Sequence, residues 1–385
     1  MTDNTQRVSE LSFLPSAKLE NKVTDANNGA TRHMDFSLFY FASTDVGESS
    51  DKYRLLIEGA KFADKHGFAA VWTPERHFYE FGGLYPNPSV TSAAIATVTE
   101  RIQIRAGSVV LPLHDPLLVT EEWAVIDNLS HGRAAISFAS GWHANDFVIA
   151  PENYANRKEV MLRGIETVRR LWRGEKVRRR DGNGTEIEVR ILPHPIQREL
   201  PIWVTASGSP ETFRVAGEIG ANLLTHLLSQ SIEQLAEKIA IYRSAWREHG
   251  HGPVPGHVTL MLHTFVESSV DEVREKVREP FSNYLRSSVE LWLARRPGQD
   301  ISDFTEEELE DLVSFAFDRY FEASGLFGTP STCLRLIDRL KSIDVDEVGC
   351  LIDFGVDFDS VISSLHYLDT LRELSNTSSG CLKDR

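Results

Sequence analysis

A chain of 385 residues, 41% hydrophobic and 25% charged, has the make-up of a soluble globular protein, and an α/β barrel accommodates that length as one unit. The 41 Lys and Arg against 56 Asp and Glu leave a net charge of −15, which repels a phosphate backbone and argues against nucleic acid. No apolar run reaches the roughly 18 residues of a membrane span, no basic-then-apolar leader opens the chain, and Cys333, Cys350 and Cys381 are too scattered for a disulfide framework or a clustered metal motif, so a cytoplasmic protein away from the membrane is expected.

Residues 1 to about 33 are rich in Asn, Thr, Ser and Asp without sustained periodicity and read as a disordered leader. From Met34 onward strand-like and helix-like segments alternate: a strand over 36–41, a helix over about 50–66, a strand over 68–72, a helix near 89–99, a strand over 102–111, a helix over about 117–129 and a strand from Arg133. Alternation of this kind implies parallel strands with right-handed helical crossovers. The segment 157–172 places Val160, Ile165, Val168, Leu171 and Trp172 on one face of a surface helix. Asp181-Gly182-Asn183-Gly184, between two short strand-like runs, predicts a hairpin excursion over 177–192, with Arg178-Arg179-Arg180 as its solvated flank.

The alternation resumes with a strand over 202–205, Pro210 at a helix start, a strand over 222–225, a helix over about 232–248 and a long strand over 257–266. Residues 271–328 are strongly helical yet fit no βα repeat, and an insertion of this kind at a barrel mouth is expected to act as a lid. Gly328-Thr329-Pro330, a helix to about 343, a strand over 348–353 and a helix over about 359–374 complete the unit, and 376–385 read as a frayed tail. The expected fold is an α/β (β/α)8 TIM barrel over 34–375 with a β-hairpin excursion and a helical insertion before the last strand.

The carboxyl ends of parallel barrel strands are where chemistry is placed. Glu75-Arg76-His77, Gly107-Ser108 with His114-Asp115, and Ser140-Gly141-Trp142-His143 would converge on one mouth. In the first group His exchanges protons near neutral pH and Arg can hold an anion or a peroxide oxygen. His114-Asp115 also reads as a turn with an Asp cap, and Trp142 also as a core aromatic. Gly107 inside an aliphatic strand marks a bulge or a close approach by another group. Ala206-Ser207-Gly208-Ser209-Pro210 joins a strand to a helix and offers hydroxyls and helix-start N–H groups to a phosphate, although an ordinary βα turn has the same composition. It lacks the Lys of a P-loop. Arg157 and Lys158 open a helix where cations oppose the dipole, a conflict that a bound anion would remove. No His and carboxylate grouping has zincin spacing, and the dispersed histidines speak against a metal site.

The run from Phe68 through Trp72-Thr73-Pro74-Glu75-Arg76-His77 to Gly82, then Val110-Leu111-Pro112, Leu129-Ser130-His131-Gly132-Arg133 and Phe327-Gly328-Thr329-Pro330 resembles the bacterial luciferase-like flavin monooxygenases. The likeness covers 34–375, and Ser140 to Phe147 with Ala150 to Tyr154 is similar to a natural-product biosynthesis subgroup associated with intermediates tethered to carrier proteins. The resemblance implies an α/β barrel that takes FMNH2 from a separate flavin reductase and uses O2 to oxidise a small or carrier-bound substrate. It makes Gly107-Ser108 a non-prolyl cis bulge beneath the isoalloxazine, gives the phosphate or ribityl chain to Ala206, Ser207, Gly208 and Ser209 with Arg157 and Lys158, and sets Ser140 and His226 along the flavin. Arg76 stands where luciferase carries a catalytic His, with His77 after it, so long-chain aldehyde oxidation and light emission are not implied. Arg76 and His77 are expected to stabilise or protonate the flavin peroxide. Ser140 stands where luciferase has an Arg, which leaves neutralisation of the phosphate to Arg157 and Lys158. The expected partners are the reductase and an acyl or peptidyl carrier protein, with a homodimer as the family habit. Two other readings stay open at this point: a deazaflavin (F420)-dependent oxidoreductase on the same barrel, and a non-catalytic flavin-binding barrel.

Overall fold

The computed structural model describes residues 32–42, 51–228, 230–293 and 305–377. The expected leader therefore lies almost wholly outside the described residues, as does the tail from 378. In chain order the strands are β1 (Asp35–Phe39), β2 (Ala70–Thr73), β3 (Gln103–Val110), β4 (Ala134–Ala139), β5 (Val177–Arg180), β6 (Glu186–Val189), β7 (Ile202–Thr205), β8 (Asn222–His226), β9 (Val258–Val266), β10 (Leu326–Gly328) and β11 (Glu347–Leu351). The helices are α1 (Arg54–His66), α2 (Pro88–Ala96), α3 (Pro116–Leu129), α4 (Arg157–Trp172), α5 (Pro210–Glu218), α6 (Ile232–Glu248), α7 (Val270–Leu293), α8 (Glu306–Arg319), α9 (Pro330–Ser342) and α10 (Phe358–Asn376).

Eight parallel strands close a ring in the order β1, β2, β3, β4, β7, β8, β9, β11 and back to β1. The (β/α)8 barrel and the antiparallel β5–β6 hairpin expected from the sequence are both present. Helix starts follow local chemistry. Asn87, Asp115 and Thr329 each precede a Pro at the first turn and accept a backbone N–H with their side chains. Ser209 precedes Pro210 in the same way but makes no such cap.

The insertion differs from the expected purely helical segment. It contains β10, whose three residues pair in parallel with Thr264, Phe265 and Val266 at the end of β9. A strand this short has no periodicity of its own, so the helical pattern around it hid it. Helix α7 carries Pro280 inside it and joins α8 through Arg274 and Asp318, 2.8 Å apart. Phe281 of α7 packs on His263 of β9 and on Phe354 after β11, at 4.8 and 5.4 Å between ring centroids, so α7 lies against the carboxyl end of the barrel. At the chain's other end α10 runs to Asn376, into the expected tail, where the Asn376 amide holds both the N–H and the carbonyl of Met34 at 2.9 Å.

The amino end of the barrel is plugged by a charged hub. Buried Glu347 accepts from Ser37 Oγ at 2.5 Å, Trp72 Nε1 at 3.1 Å, Arg105 Nη1 at 2.7 Å and His257 Nε2 at 2.9 Å. The Arg105 guanidinium lies against the rings of both Trp72 and Trp203, at 4.8 and 4.4 Å. Burial opposes the charge on Glu347, but Arg105 and the bonds from His257 and Ser37 hold its carboxyl far below the ordinary range. A charge this deep is tolerable because every lone pair has a donor.

Candidate active site

Residues paired across parallel strands face the same side, so the register identifies the inward set. Gly107, Ser137, Trp203 and Asn222 are in register, as are Thr205 with Leu224 and His226 with Met261. Alternation then brings Gly107, Ala139, Thr205, His226 and Met261 onto the inner face. Strand residues facing a filled barrel interior are normally buried. These five are only half-buried, so the inner wall at their level borders open space. The barrel is packed below, at Trp72 and Trp203, whose rings meet edge-on at 5.5 Å, and is hollow above.

That hollow starts at Gly107. The Gly107–Ser108 peptide bond is cis, as the resemblance implies, and the pairing of β3 with β4 shifts register between Gly107 and Val109. A Cβ on Gly107 would lie 2.8 Å from the Phe39 ring and 3.0 Å from Trp72, so a larger residue there would force these rings to shift. Ser108 Oγ hydrogen-bonds Thr205 Oγ1, which also lies 2.7 Å from Ser137 Oγ.

The trio after β2 divides. Glu75 is buried and accepts the Val110 N–H at 2.7 Å, His114 Nε2 at 2.6 Å and His77 Nε2 at 2.8 Å. Burial alone would raise its carboxyl, but the hydrogen bonds from His114 and His77 hold it below the ordinary range. Burial likewise opposes the charge on His114, and its bond to Glu75 raises it above the ordinary imidazole value. Arg76 turns the other way, donating from Nη1 to Asp146 at 3.2 Å, with its guanidinium over the rings of Tyr79 and Trp142 at 5.0 and 5.2 Å. Its Nε and Nη2 are buried without hydrogen-bond partners among the described residues. Burial lowers the Arg76 pKa and raises that of Asp146. Arg76 and His77, expected to act together, thus present their side chains to different partners.

Glu75, His77 and His114 bring their ligating atoms within 4.8 Å of one another, which corrects the expectation that the histidines are dispersed. Both imidazoles approach the same carboxylate oxygen at hydrogen-bond distance, and the other oxygen takes a backbone N–H, so the carboxylate is already engaged.

The residues assigned to the phosphate end come together in part. The Glu211 carboxylate at the start of α5, held low first by its Arg214 hydrogen bond, also feels the charge of Lys158 at the start of α4. Ser207 and Ser209 are exposed, Gly208 is half-buried and Ala206 is buried. Arg157 Nε donates to the Gly141 carbonyl at 3.2 Å and Ser140 Oγ to the same oxygen at 3.5 Å, so these two meet at the end of β4. The Arg157 guanidinium also lies over Tyr154 at 4.7 Å. His226 accepts the Leu228 N–H on Nδ1 at 3.2 Å.

Two residues at the mouth escaped the sequence reading. Asp353, just past β11, accepts from Phe41 N at 2.6 Å and Tyr85 Oη at 3.0 Å, and burial pushes its pKa up to about 7. His263 on β9 is buried among the rings of Phe281, Tyr284, Tyr320 and Phe354, and its Nε2 has no hydrogen-bond partner among the described residues. Burial, with His226 nearby, lowers its pKa to about 3, so it is neutral. Its alternation with Thr259 and Met261 on the inner face was the signal that could have found it.

Residues 34–347 match the profile of the luciferase-like monooxygenases. The chain belongs to that family. It is 26% identical over 346 residues to the oxygenase component of the flavin-dependent trigonelline monooxygenase of Acinetobacter baylyi, across 86% of this chain and 92% of that protein. Its fold is similar to that of the monooxygenase RslO1 from Streptomyces bottropensis, with a TM-score of 0.72 at 24% identity over 88% of this chain and 98% of that one. It is also similar to the oxygenating constituent of 3,6-diketocamphane monooxygenase from Pseudomonas putida in complex with FMN, with a TM-score of 0.68 at 18% identity over 92% and 100% of the two chains. In this luciferase-like monooxygenase no described helix is long and apolar enough to cross a membrane.

Proposed function

We propose that this chain is the oxygenase of a two-component flavin monooxygenase: it receives FMNH2 from a separate flavin reductase and uses O2 to oxidise a small or carrier-tethered substrate. The observation that carries the reading is the hollow above Gly107, where the inner wall offers backbone and small side chains, Gly107, Ala139 and Thr205, to a flat ring. The residues present fit FMN. Gly107 and Ser108 would lie against the ring, with Ser140 and His226 beside it. The uncapped start of α5, with Ala206, Ser207, Gly208 and Ser209, would take the phosphate through N–H groups and hydroxyls, and Lys158 and Arg157 would supply charge from the neighbouring helix. That the relative from Acinetobacter baylyi is named as an oxygenase component supports a reductase partner.

The reduced flavin, when bound, supplies the electrons and activates O2. The chain's own part is placement and exclusion of water. Arg76 brings two nitrogens, Nε and Nη2, unpartnered among the described residues, into a buried, aromatic setting, where they would donate to a developing oxyanion. His77, held on Glu75 at 2.8 Å, has its ring orientation fixed by that carboxylate. Helices α7 and α8, as the lid over the mouth, would keep solvent from the oxidising step.

Anaerobic titration with dithionite-reduced FMN, followed by admission of O2 with a trial substrate, tests this. Saturable binding and one oxygen atom in the product per FMNH2 consumed are expected. Tighter binding of a reduced deazaflavin with hydride transfer and no O2 uptake would replace the reading with the deazaflavin one. Binding of FMNH2 with no product from any small or carrier-bound substrate would leave a flavin-binding barrel.

A further inference from the structure

One side of the mouth is a continuous file of rings. Phe41, after β1, lies 5.2 Å from Phe81; Phe81 lies 4.7 Å from Tyr284 of α7; Tyr284 meets His263 of β9 nearly at right angles at 4.9 Å. Phe41, Phe81 and Tyr284 are half-buried, so the file borders open space where the aromatic core behind it, Phe281, Phe317 and Phe354, does not.

Two polar atoms interrupt this apolar file. His263 Nε2 is buried without a partner among the described residues, and a native fold rarely leaves such an atom unpaired. Burial of the ring together with Asp353 pushes the Tyr284 hydroxyl well above its ordinary pKa. The neutral state of His263 marks the same surroundings as hostile to charge. Quadrupolar rings favour a planar partner edge-on or offset over a flexible chain of equal size, which must also give up rotamer freedom on binding.

We propose that this file is the substrate wall, and that the substrate is a planar, uncharged ring carrying an oxygen or nitrogen that His263 Nε2 and the Tyr284 hydroxyl engage. The proposal rests on the monooxygenase reading for its reaction, but the recognition stands on the wall itself.

The test is equilibrium dialysis of the full-length protein with 2-naphthol and with 1-decanol, which have the same number of carbon and oxygen atoms but differ in planarity. 2-Naphthol should bind with a Kd at least about tenfold lower. Tyr284→Leu should abolish that preference while leaving 1-decanol within about twofold, because leucine keeps an apolar surface there but no ring or hydroxyl. His263→Phe, which keeps the ring and removes the nitrogen, should weaken 2-naphthol but not naphthalene. Should Tyr284→Leu fail to fold, as judged by near-ultraviolet circular dichroism, Phe81→Leu gives the same readout from another element. Equal affinities, a preference for 1-decanol, an unchanged ratio in the variants or no saturable binding of either probe would overturn the proposal. FMN titration of the same preparation separates the two ideas: FMN binding without ring preference removes only the substrate wall, and ring preference without FMN binding removes only the flavin reading.

Discussion

Glu75 and His114, just past the ends of β2 and β3, meet at 2.6 Å across 39 residues of sequence, and the same carboxylate holds β3 beyond the bulge through Val110 N–H. The pair ties the strand that carries Gly107 to the strand that carries Arg76, so it sets the geometry of the mouth without facing it.

The pair should make stability depend on pH in two limbs. Glu75 is lowered from an ordinary 4.5, so its contribution is present above that value and is lost as pH falls through its folded pKa. His114 is raised from 6.5, so its contribution is present below that value and is lost as pH rises through its folded pKa. Urea midpoints should therefore be highest between the two values, and Glu75→Gln should flatten both limbs. Nuclear magnetic resonance titration of His114 should show its pKa falling in that variant. Glu75→Ala, which leaves the Val110 N–H and two imidazoles without their acceptor, should cost about 3 kcal/mol.

The hub at the amino end should separate stability from function. Glu347→Ala strands the buried Arg105 guanidinium and should destabilise the barrel by about 3–5 kcal/mol in urea unfolding. It lies at the far end from the mouth, so FMN affinity, measured where the variant is folded, should stay within about twofold. A large loss of affinity in a fully folded Glu347→Ala protein would mean that the two ends are coupled.

Gly107→Ala asks whether the hollow needs its bare backbone. The added methyl would press on Phe39 and Trp72 and should cost about 1–3 kcal/mol of stability. FMN binding should fall by more than stability alone explains, which fluorescence titration of the folded variant reads directly. Unaltered binding would remove Gly107 from the flavin surface.

Much of this architecture is legible in the residues. Apolar runs such as 68–72 and 134–139 end at Pro74 and Gly141, and Pro88, Pro116 and Pro330 behind a capping Asn, Asp or Thr announce helix starts, so the barrel could be traced strand by strand. What stayed hidden depends on contacts remote in sequence. Glu75-Arg76-His77 reads as one cluster, but Asp146 draws Arg76 away while Glu75 holds His77 and His114, and only the closed barrel brings those partners near. Asp353 looked like a strand end and His263 like one polar residue in an apolar strand. Asp353 is enclosed with Phe41 and Tyr85, and His263 by rings that include Phe281 and Tyr284 of α7, whose position no periodicity specifies.

The split between Arg76 and His77 predicts unequal variants. With FMNH2 supplied chemically, Arg76→Ala should lower product formation about 100-fold by removing the Nε and Nη2 donors. His77→Ala should cost less, because Glu75 keeps His114. Equal rates in wild type and Arg76→Ala would take the guanidinium out of the chemistry.

The most direct test of the central claim is a crystal structure of the chain soaked with FMN. The isoalloxazine should lie in van der Waals contact with the Gly107–Ser108 backbone and the phosphate at the start of α5 beside Lys158. Another opening of about 550 Å³ lies outside the barrel between α1 and α10, lined by Arg54, Glu58, Lys61, Lys65 and Phe358. Density for FMN in that groove, with the hollow above Gly107 filled only by water, would contradict the account.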